Sequence, residues 1–237
     1  MKKVLITGST QGIGKAIAEE FVKTGYEVIV HCSKDLEKAK RIQAEIGAKS
    51  AITCDLSDME DVNSIFEKTG NIDILILNAS VQFKEKWDEI TEEAMDKQYT
   101  VNVKSTLKLI QTYLPYMKEN KFGRIVTIGS VNQYRQHPEL SFYSATKCAV
   151  MSLVKNIAKQ VAPFNVTLNN VSPGAILTPR NEAVYNDEEK RKAVENQIPL
   201  GRFGMPYDCV GAVTLLCSEQ GNYITGTDIT IDGGMVL

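Results

Sequence analysis

Strong charge of one sign, paired cysteines and long hydrophobic runs are all missing from this 237-residue sequence. The formal net charge is −2, so no basic field favours nucleic acid or an anionic membrane as a partner. The five cysteines form no C-x-x-C pair and no Cys/His cluster, which argues against a disulfide framework or a zinc site. The apolar run near Met1 covers only residues 4–6, and no run of about 18 apolar residues follows. We therefore expect a reduced, cytoplasmic protein without a membrane partner or a metal.

The composition is that of an ordinary globular chain, with 43% hydrophobic and 24% charged residues. No linker, repeat or low-complexity stretch divides it, so we predict one domain over residues 1–237. The segment 178–204 is polar, charged and bracketed by Pro179 and Pro199. Such a segment near the end of an α/β sheet is predicted to be a lid over a site, and a plain surface excursion is the alternative.

Short β-branched runs alternate with longer segments of helical periodicity. The predicted strands are residues 3–7, 27–31, 50–53, 73–77, 124–128, 166–170 and 228–231. The predicted helices are residues 13–23, 35–46, 58–69, 92–119, 143–161 and 206–218, and Pro115 should kink or end the fourth. This alternation predicts an α/β fold of the Rossmann type, a doubly wound parallel sheet of about seven strands with helices on both faces.

A glycine-rich turn follows the first predicted strand and opens the first helix, where residues 7–14 read Thr-Gly-Ser-Thr-Gln-Gly-Ile-Gly. Glycines at such a turn let the backbone approach a pyrophosphate, and the free N–H groups and dipole of the helix favour its negative charge. The spacing G-x-x-x-G-x-G departs from the usual G-x-G-x-x-G, and no Gly-Lys-Ser/Thr follows as in a nucleoside-triphosphate loop. We predict a bound dinucleotide here, contacted by Gly8, Ser9, Gln11, Gly12, Ile13 and Gly14.

Tyr143 and Lys147 lie four residues apart in a predicted helix, which places both side chains on one face. A nearby ammonium lowers the pKa of a phenol, so such a tyrosine can exchange a proton with a carbonyl oxygen near neutral pH. Taken alone, the motif also fits an exposed surface pair. Ser130 precedes Tyr143 by 13 residues, at the end of a predicted strand.

Together these motifs resemble the short-chain dehydrogenase/reductase family, in its short single-domain form, over essentially the whole chain. The residues that carry the resemblance are the turn at 7–14, Asp55, Asn78, Ala79, Asn102, Ser130, Tyr143, Lys147, Pro173, Gly174, Thr178, Gly226, Asp232, Gly233 and Gly234. The resemblance implies hydride transfer between a nicotinamide cofactor and a carbonyl or secondary-alcohol substrate. It also implies a homo-oligomer, a tetramer or a dimer, assembled with the help of the C-terminal strand.

The resemblance implies four catalytic residues. Tyr143 is the general acid for ketone reduction and the general base for the reverse reaction. Lys147 holds down the pKa of that tyrosine and grips the nicotinamide ribose, and Ser130 hydrogen-bonds the substrate oxygen. Asn102 matches a helix-kinking asparagine that anchors a water leading to the lysine, although an ordinary polar helix residue is the alternative.

Further cofactor contacts are implied after the other strands. Asp55 resembles the residue that accepts a hydrogen bond from the adenine amino group; it could instead cap a helix, although Asp58 is the better cap. The chain reads Leu-Asn-Ala-Ser at positions 77–80, where the family usually has Asn-Asn-Ala-Gly, so we expect a different backbone approach to the cofactor there. The other implied contacts are Ser33, Leu56, Asn78, Ala79, Ser80, Pro173, Gly174, Ile176 and Thr178.

The end of the second strand bears on the choice of dinucleotide. An NAD-specific site places an acid there to hold the ribose 2′-hydroxyl, but this chain has none before Asp35. Ser33 and Lys34 could meet a 2′-phosphate, and His31 could assist or fill space. Gln11 is a counter-indication, because phosphate-preferring relatives often carry arginine at its position. We predict NADP(H), with NAD(H) as the alternative.

The substrate wall is expected from residues 80–87, 131–142 and 178–204, which are polar and partly cationic. The relevant side chains are Gln133, Tyr134, Arg135, His137 and Arg180. They favour a hydroxylated or anionic substrate such as a sugar acid, and solvated surface charges are the alternative. The chain also resembles 3-oxoacyl-(acyl-carrier-protein) reductases, but residues 80–87 lack their usual Arg-Asp element. A non-catalytic dinucleotide sensor on the same fold is a further alternative, although it would be free to lose the tyrosine and lysine that this chain keeps.

Overall fold

The computed structural model describes all 237 residues, built around a single seven-stranded sheet. The strands are β1 (Lys3–Ile6), β2 (Glu27–Cys32), β3 (Ser50–Thr53), β4 (Ile74–Leu77), β5 (Gly123–Ile128), β6 (Val166–Pro173) and β7 (Asp228–Ile231). Every pair is parallel, and the order is β3-β2-β1-β4-β5-β6-β7. The direction of winding reverses between β1 and β4, which opens a crevice at the carboxyl ends of these strands. The predicted Rossmann-type α/β fold is confirmed.

Nine α-helices connect and cover the strands. They are α1 (Gly12–Lys23), α2 (Leu36–Ile46), α3 (Met59–Thr69), α4 (Glu92–Tyr99), α5 (Ser105–Glu119), α6 (Ser141–Val161), α7 (Glu182–Asn186), α8 (Glu188–Glu195) and α9 (Val210–Cys217). Asp35 and Asp58 cap α2 and α3, since their carboxylates accept hydrogen bonds from first-turn N–H groups. Asp58 is therefore the cap of α3, which leaves Asp55 free for another role.

The strands divide their side chains between two cores because successive residues of a strand point to opposite faces. Leu5 lies in a cluster of 24 buried residues that packs the sheet against α3, α5 and α6. Its neighbours Val4 and Ile6 lie in a cluster of 16 buried residues that packs the other face against α1 and α9. Burial on both faces fixes the sheet, so the loops at its carboxyl edge are held on a rigid base.

The helical region predicted at 92–119 is not one helix. A wide turn at Thr100–Lys104 separates α4 from α5, with hydrogen bonds one residue longer than those of an α-helix. Pro115 lies inside α5 and does not end it. The lost backbone bond is tolerated there because Tyr113 and Met117, on either side, are fully buried against the sheet.

Two helices inside the segment 178–204, α7 and α8, were not predicted, and β6 runs three residues further than expected. The amphipathic signal of such short helices is weak. None of the helices has the length and apolar character needed to cross a membrane. The five cysteines are unpaired, and no three His, Cys, Asp or Glu side chains cluster as metal ligands would.

Candidate active site

A cleft of about 680 Å³ opens at the carboxyl edge of the sheet, where the strand order reverses. It is walled by the loops after β1, β2, β4, β5 and β6 and by one face of α6. The predicted site residues that line it are Gly8, Gln11, Ile13, Ser33, Asn78, Ala79, Ser80, Ser130, Tyr143, Lys147, Pro173, Gly174, Ile176 and Thr178. The fold thus brings together residues that are spread over most of the sequence.

Tyr143 and Lys147 lie side by side on α6 and are almost completely buried, with 4% and 5% of their surfaces exposed. The ammonium lies 5.5 Å from the centre of the tyrosine ring. It also donates a 2.7 Å hydrogen bond to the carbonyl of Ile128, the last residue of β5. These two residues are therefore not an exposed surface pair. The hydrogen bond to β5 fixes the position of the lysine ammonium.

The electrostatics of the tyrosine favour its ionised form. Burial raises the pKa of Tyr143, but the charges of Lys147 and Arg180 and hydrogen bonds from Ser130 and Ser80 outweigh it. The net result is a pKa below the ordinary value of 10. Burial and the charge of Arg180 also lower the pKa of Lys147, while Tyr143 opposes that change. The sequence pointed to the lysine, but it gave no sign that Arg180 and Ser80 act on the same phenol.

Ser130 follows β5 and caps a short helical turn, where its hydroxyl accepts a 3.2 Å hydrogen bond from the N–H of Asn132. The next two side chains of the predicted substrate wall, Gln133 and Tyr134, do not line the cleft. Both donate hydrogen bonds to the carboxylate of Asp228 on β7. Both side chains were expected to contact the substrate. They have a structural role instead, because the carboxylate of Asp228 lies behind this turn and accepts their hydrogen bonds.

Asn102 sits at the centre of the wide turn between α4 and α5, 3% exposed. Its amide accepts from the N–H of Val81 and donates to the carbonyl of Val81, both at 2.9 Å, and also donates to Thr146 at 3.1 Å. It therefore ties the loop after β4 to α6, next to Lys147, but it does not line the cleft. A role in a water relay stays a prediction.

The glycine turn is held by side chains behind it. Gly8 and Gly12 have left-handed φ angles of 65° and 56°. A Cβ atom on Gly14 would lie 2.5 Å from both the Asn78 amide nitrogen and the Gly8 carbonyl oxygen. The Asn78 amide donates to the carbonyls of Thr7 and Gly8 at 2.9 and 3.0 Å. Glycine is thus required at three places for conformation or close packing.

His31, at the end of β2, is a second support of this turn. Its Nδ1 accepts a 3.0 Å hydrogen bond from the N–H of Gly8, so its Nε2 carries the proton and donates to the Cys54 carbonyl at 3.0 Å. Burial lowers the pKa of His31 to about 4. The buried Ser9 hydroxyl accepts from the backbone N–H of His31 at 3.0 Å and faces β2 instead of the cleft.

The far end of the cleft contains a cation that the sequence did not single out. Lys38 on α2 lines the cleft beside Ser33 and donates a 2.6 Å hydrogen bond to the side chain of Gln11. Lys34 instead forms a 3.0 Å ion pair with Asp55 and does not line the cleft. Asp55 and the buried Leu56 also lie outside the cleft lining. Lys38, not Lys34, is therefore the cation that lines this end of the cleft.

The charges around the cleft are all of one sign. Its lining contains no Asp or Glu, although the whole chain has 29 acidic residues. The lysines and arginines that line it are Lys38, Lys84, Arg135, Lys147 and Arg180. Like charges in a concave site focus the field and favour anionic ligands.

The segment 178–204 closes one side of the cleft. Its base is fixed by backbone hydrogen bonds of Gly204 to Ala175 and Leu177, at 2.9 and 2.8 Å. Arg180 reaches from it to Ser80, and Gln197 accepts a 2.7 Å hydrogen bond from Arg135. Motion of this segment as a lid stays a prediction.

Comparisons with known proteins identify the family of this chain. A family model described as enoyl-(acyl carrier protein) reductase matches residues 8–236. The 3-oxoacyl-[acyl-carrier-protein] reductase of Rickettsia conorii is 33% identical, covering 100% of this chain and 97% of that protein. Dehydrogenase/reductase SDR family member 4 of Mus musculus is also 33% identical, covering 98% of this chain and 86% of that protein.

The crystal structure of a 3-oxoacyl (acyl-carrier-protein) reductase from Agrobacterium tumefaciens, with NADP bound, superposes with a TM-score of 0.92. The two sequences are 36% identical, and the match covers 98% of this chain and 93% of the other. Family model, full-length relatives and fold agree. The chain therefore belongs to the short-chain dehydrogenase/reductase family, whose members are NAD(P)-dependent oxidoreductases of carbonyl and alcohol groups.

Proposed function

We propose that this protein is an NADP(H)-dependent oxidoreductase that interconverts a small carbonyl compound and its secondary alcohol, with Tyr143 as the general acid/base. One observation carries the proposal. A buried tyrosine with a lowered pKa stands between Lys147, Ser130 and Ser80, in the same cleft as the glycine turn. Perturbed ionisable groups that converge in a cleft are typical of proton-transfer sites.

The cleft fits a dinucleotide. The glycine turn at the start of α1 has no room for a Cβ at Gly14, and the lining has no acid to repel phosphate. Gly8, Gln11 and Ile13 would hold the pyrophosphate, and Thr178 and its loop would hold the nicotinamide. The nicotinamide supplies the hydride when the cofactor is bound.

The side chains around the reacting carbonyl would divide the remaining chemistry. Tyr143 donates its proton to the carbonyl oxygen as negative charge develops there, a role worth about 10²–10⁴-fold in rate. The ammonium of Lys147 stabilises the phenolate that is left behind. The hydroxyl of Ser130 donates a hydrogen bond to the same substrate oxygen and orients the carbonyl towards the tyrosine. In the oxidation direction each role is reversed.

The preference for NADP(H) rests on the far end of the cleft. The first acid after β2, Asp35, caps α2 and does not line the cleft, so no acid is placed to hold a ribose 2′-hydroxyl. Ser33 and Lys38 line the wall where the 2′-phosphate would lie. Lys38 now bonds an uncharged amide, that of Gln11. A phosphate would replace this partner with a charge-assisted one, which is stronger. NAD(H) is the alternative.

Two substrate classes follow from the comparisons and the lining. The names of the relatives suggest a 3-oxoacyl thioester, and the cationic lining suggests a keto sugar or sugar acid. The uncharged reacting group is the same in both, so the proton role of Tyr143 does not depend on the choice.

The proton role is tested with Tyr143→Phe and a panel of oxo acids, keto sugars and oxoacyl thioesters, followed by the absorbance of NADPH. We expect turnover to fall about 10²–10⁴-fold, while NADPH binding, measured by fluorescence, stays within about twofold. Turnover that survives in Tyr143→Phe would refute the role. If the wild-type protein binds NADPH but turns over none of the panel, the result would favour a non-catalytic dinucleotide sensor.

The cofactor preference is tested with Lys38→Gln, and Lys40→Gln on the exposed side of the same helix is the matched control. We expect Lys38→Gln to weaken NADPH binding about tenfold or more and to leave NADH binding unchanged, since a hydrogen bond to a charged group contributes about 1.5–3 kcal/mol. Equal losses for both cofactors, or tighter binding of NADH by the wild-type protein, would overturn the preference.

A further inference from the structure

We propose that Arg180, positioned by Ser80, binds a carboxylate of the substrate, which makes the substrate a small 2-oxo or 3-oxo acid or the corresponding hydroxy acid. This inference rests on the proposed function and narrows its substrate class. It selects a free acid over the neutral ketones and carrier-bound thioesters that the same chemistry could serve.

The first argument is the unused binding capacity of Arg180. Its Nη2 atom donates to the backbone carbonyl of Ser80 at 2.8 Å and to the hydroxyl of Ser80 at 3.1 Å. The other guanidinium N–H groups have no protein partner, although arginine carries five donors in a planar fork. No carboxylate pairs with Arg180, whereas Arg202, outside the cleft, pairs with Asp208 at 2.9 Å. The guanidinium is exposed to the cleft and ready for a bidentate anion.

The second argument is distance. The hydroxyl of Ser80 accepts a 3.1 Å hydrogen bond from Arg180, and both residues lie close enough to Tyr143 to lower the pKa of its phenol. Arg180, Ser80 and Tyr143 line the same cleft, and the effect of the guanidinium charge on the phenol places the two groups within several ångströms of each other. A substrate whose carbonyl oxygen meets Tyr143 therefore reaches Arg180 with a carboxylate attached directly or through one further carbon. A carboxylate several carbons away would have to fold back.

The third argument is charge. Arg180 lies in a cleft whose lining has no acid, close enough to influence both Tyr143 and Lys147. Bringing a cation towards a buried lysine is unfavourable unless an anion balances it. A substrate carboxylate provides that anion. A neutral ester or thioester leaves the guanidinium unpaired. A site whose charged group is left without its partner discriminates strongly against such a substrate.

Ser80 fixes the position of the Arg180 guanidinium. The backbone at this point follows β4, and the carbonyl and hydroxyl of Ser80 hold the guanidinium at the wall of the cleft that Tyr143 also lines. The two residues are 100 positions apart in the sequence. Ser80 is therefore a positioning residue, and Arg180 is the residue that would touch the substrate.

The test compares 2-oxo and 3-oxo acids with their own methyl esters, using the full-length protein and NADPH. We expect the wild-type protein to favour each acid over its ester by about 10- to 100-fold in kcat/KM, which corresponds to about 1.4–2.8 kcal/mol. Arg180→Gln should lower kcat/KM for the acids by about that factor, mostly through KM, and change that of the esters much less. Arg180→Lys should recover part of the loss, because it keeps the charge but not the fork. Arg202→Gln is the charge-matched control and should leave the acid/ester ratio unchanged.

A binding measurement keeps the inference testable apart from turnover. Oxamate carries a carboxylate next to an unreactive carbonyl, and its binding in the presence of NADP⁺ can be followed by calorimetry. We expect Arg180→Gln to weaken it about 10- to 100-fold. Equal oxamate binding by wild type and variant, or equal losses for acids and esters, would overturn the inference. Arg180-dependent oxamate binding without turnover of any carbonyl would refute the proposed function and support the anion site.

Discussion

Lowering the pH should destabilise this protein through one buried side chain, His31. In the folded protein its Nδ1 must be free to accept the N–H of Gly8, and its Nε2 already donates to Cys54. A second proton on the ring would turn the acceptor into a donor facing another donor. Protonation of His31 therefore breaks its hydrogen bond with the N–H of Gly8, which supports the glycine turn.

The size of the effect follows from the pKa. Burial lowers the pKa of His31 from 6.5 to about 4. Between these values the unfolded chain binds a proton that the folded protein does not, so the free energy of unfolding falls as the pH falls. The contribution is complete above about pH 6.5 and is lost progressively down to about pH 4. At about 1.36 kcal/mol for each pH unit, the total is about 3 kcal/mol.

Stability depends on pH only through groups whose pKa differs between the folded and unfolded protein, and few others are shifted within this window. The lowered pKa values of Asp55 and Asp61 lie below the ordinary aspartate value of 3.8, so their contributions are lost only at lower pH. The sequence has two histidines, and the second, His137, is partly exposed; burial and the charge of Lys84 lower its pKa as well, but by less than the pKa of His31 is lowered. His137→Gln is therefore a matched control for His31→Gln.

The assay is urea unfolding of the wild type and both variants between about pH 8 and pH 4.5. His31→Gln should be less stable at neutral pH but should lose about 2–3 kcal/mol less than the wild type over this range. His137→Gln should change the pH dependence in the same direction but by a smaller amount. Side-chain NMR of the two histidines gives the pKa directly. A pH dependence in His31→Gln as steep as in the wild type, or a His31 signal that titrates near 6.5 in the folded protein, would refute the reasoning.

Four further predictions concern the site and the assembly. Gly14→Ala should lower the free energy of unfolding in urea by about 1–3 kcal/mol and abolish NADPH binding, because a Cβ there lies 2.5 Å from a backbone carbonyl. Gly211→Ala is the control and should do neither, since a Cβ at Gly211 has no atom within 4 Å. Lys147→Met should move the pH profile of alcohol oxidation upwards by at least about one pH unit, and an unmoved profile would exclude its effect on the tyrosine. Asn102→Leu should cost about 2–3 kcal/mol of stability in urea unfolding by leaving the N–H and carbonyl of Val81 unpaired; unchanged stability would show that water replaces the amide. Light scattering should show a dimer or tetramer, and a monomer at micromolar concentration would contradict the expected homo-oligomer.

The elements of this fold could be predicted because their signals are local. A run such as residues 74–77 is apolar throughout, which is typical of a strand buried on both faces, and β4 is found there. The wide turn at Thr100–Lys104 gives no such local signal, and only the family resemblance, through Asn102, implied a kink in the helix there. The turn depends on the hydrogen bonds of Asn102 to the backbone of Val81, which lies 21 residues earlier in the chain. The residues next to Asn102 in the sequence do not predict this contact.

The direction of side chains in the site was harder to predict than the elements that carry them. Lys34 follows the second strand and is the nearer cation in sequence, yet it turns to Asp55, while Lys38 one helical turn later faces the cleft. Gln133 likewise turns away from the cleft because Asp228 on β7 offers it a carboxylate. Each outcome was decided by an ion or an acceptor from a distant part of the chain.

The sequence by itself determined the β/α alternation, the glycine turn and the spacing of Tyr143 and Lys147, because each is set by periodicity or spacing within a few residues. Only the tertiary structure placed Arg180 on Ser80, 100 residues away, where its charge lowers the pKa of Tyr143. Charges act through space at distances of several ångströms, irrespective of separation along the chain. The sequence therefore predicts the type of chemistry at Tyr143, and the fold decided which charges surround it.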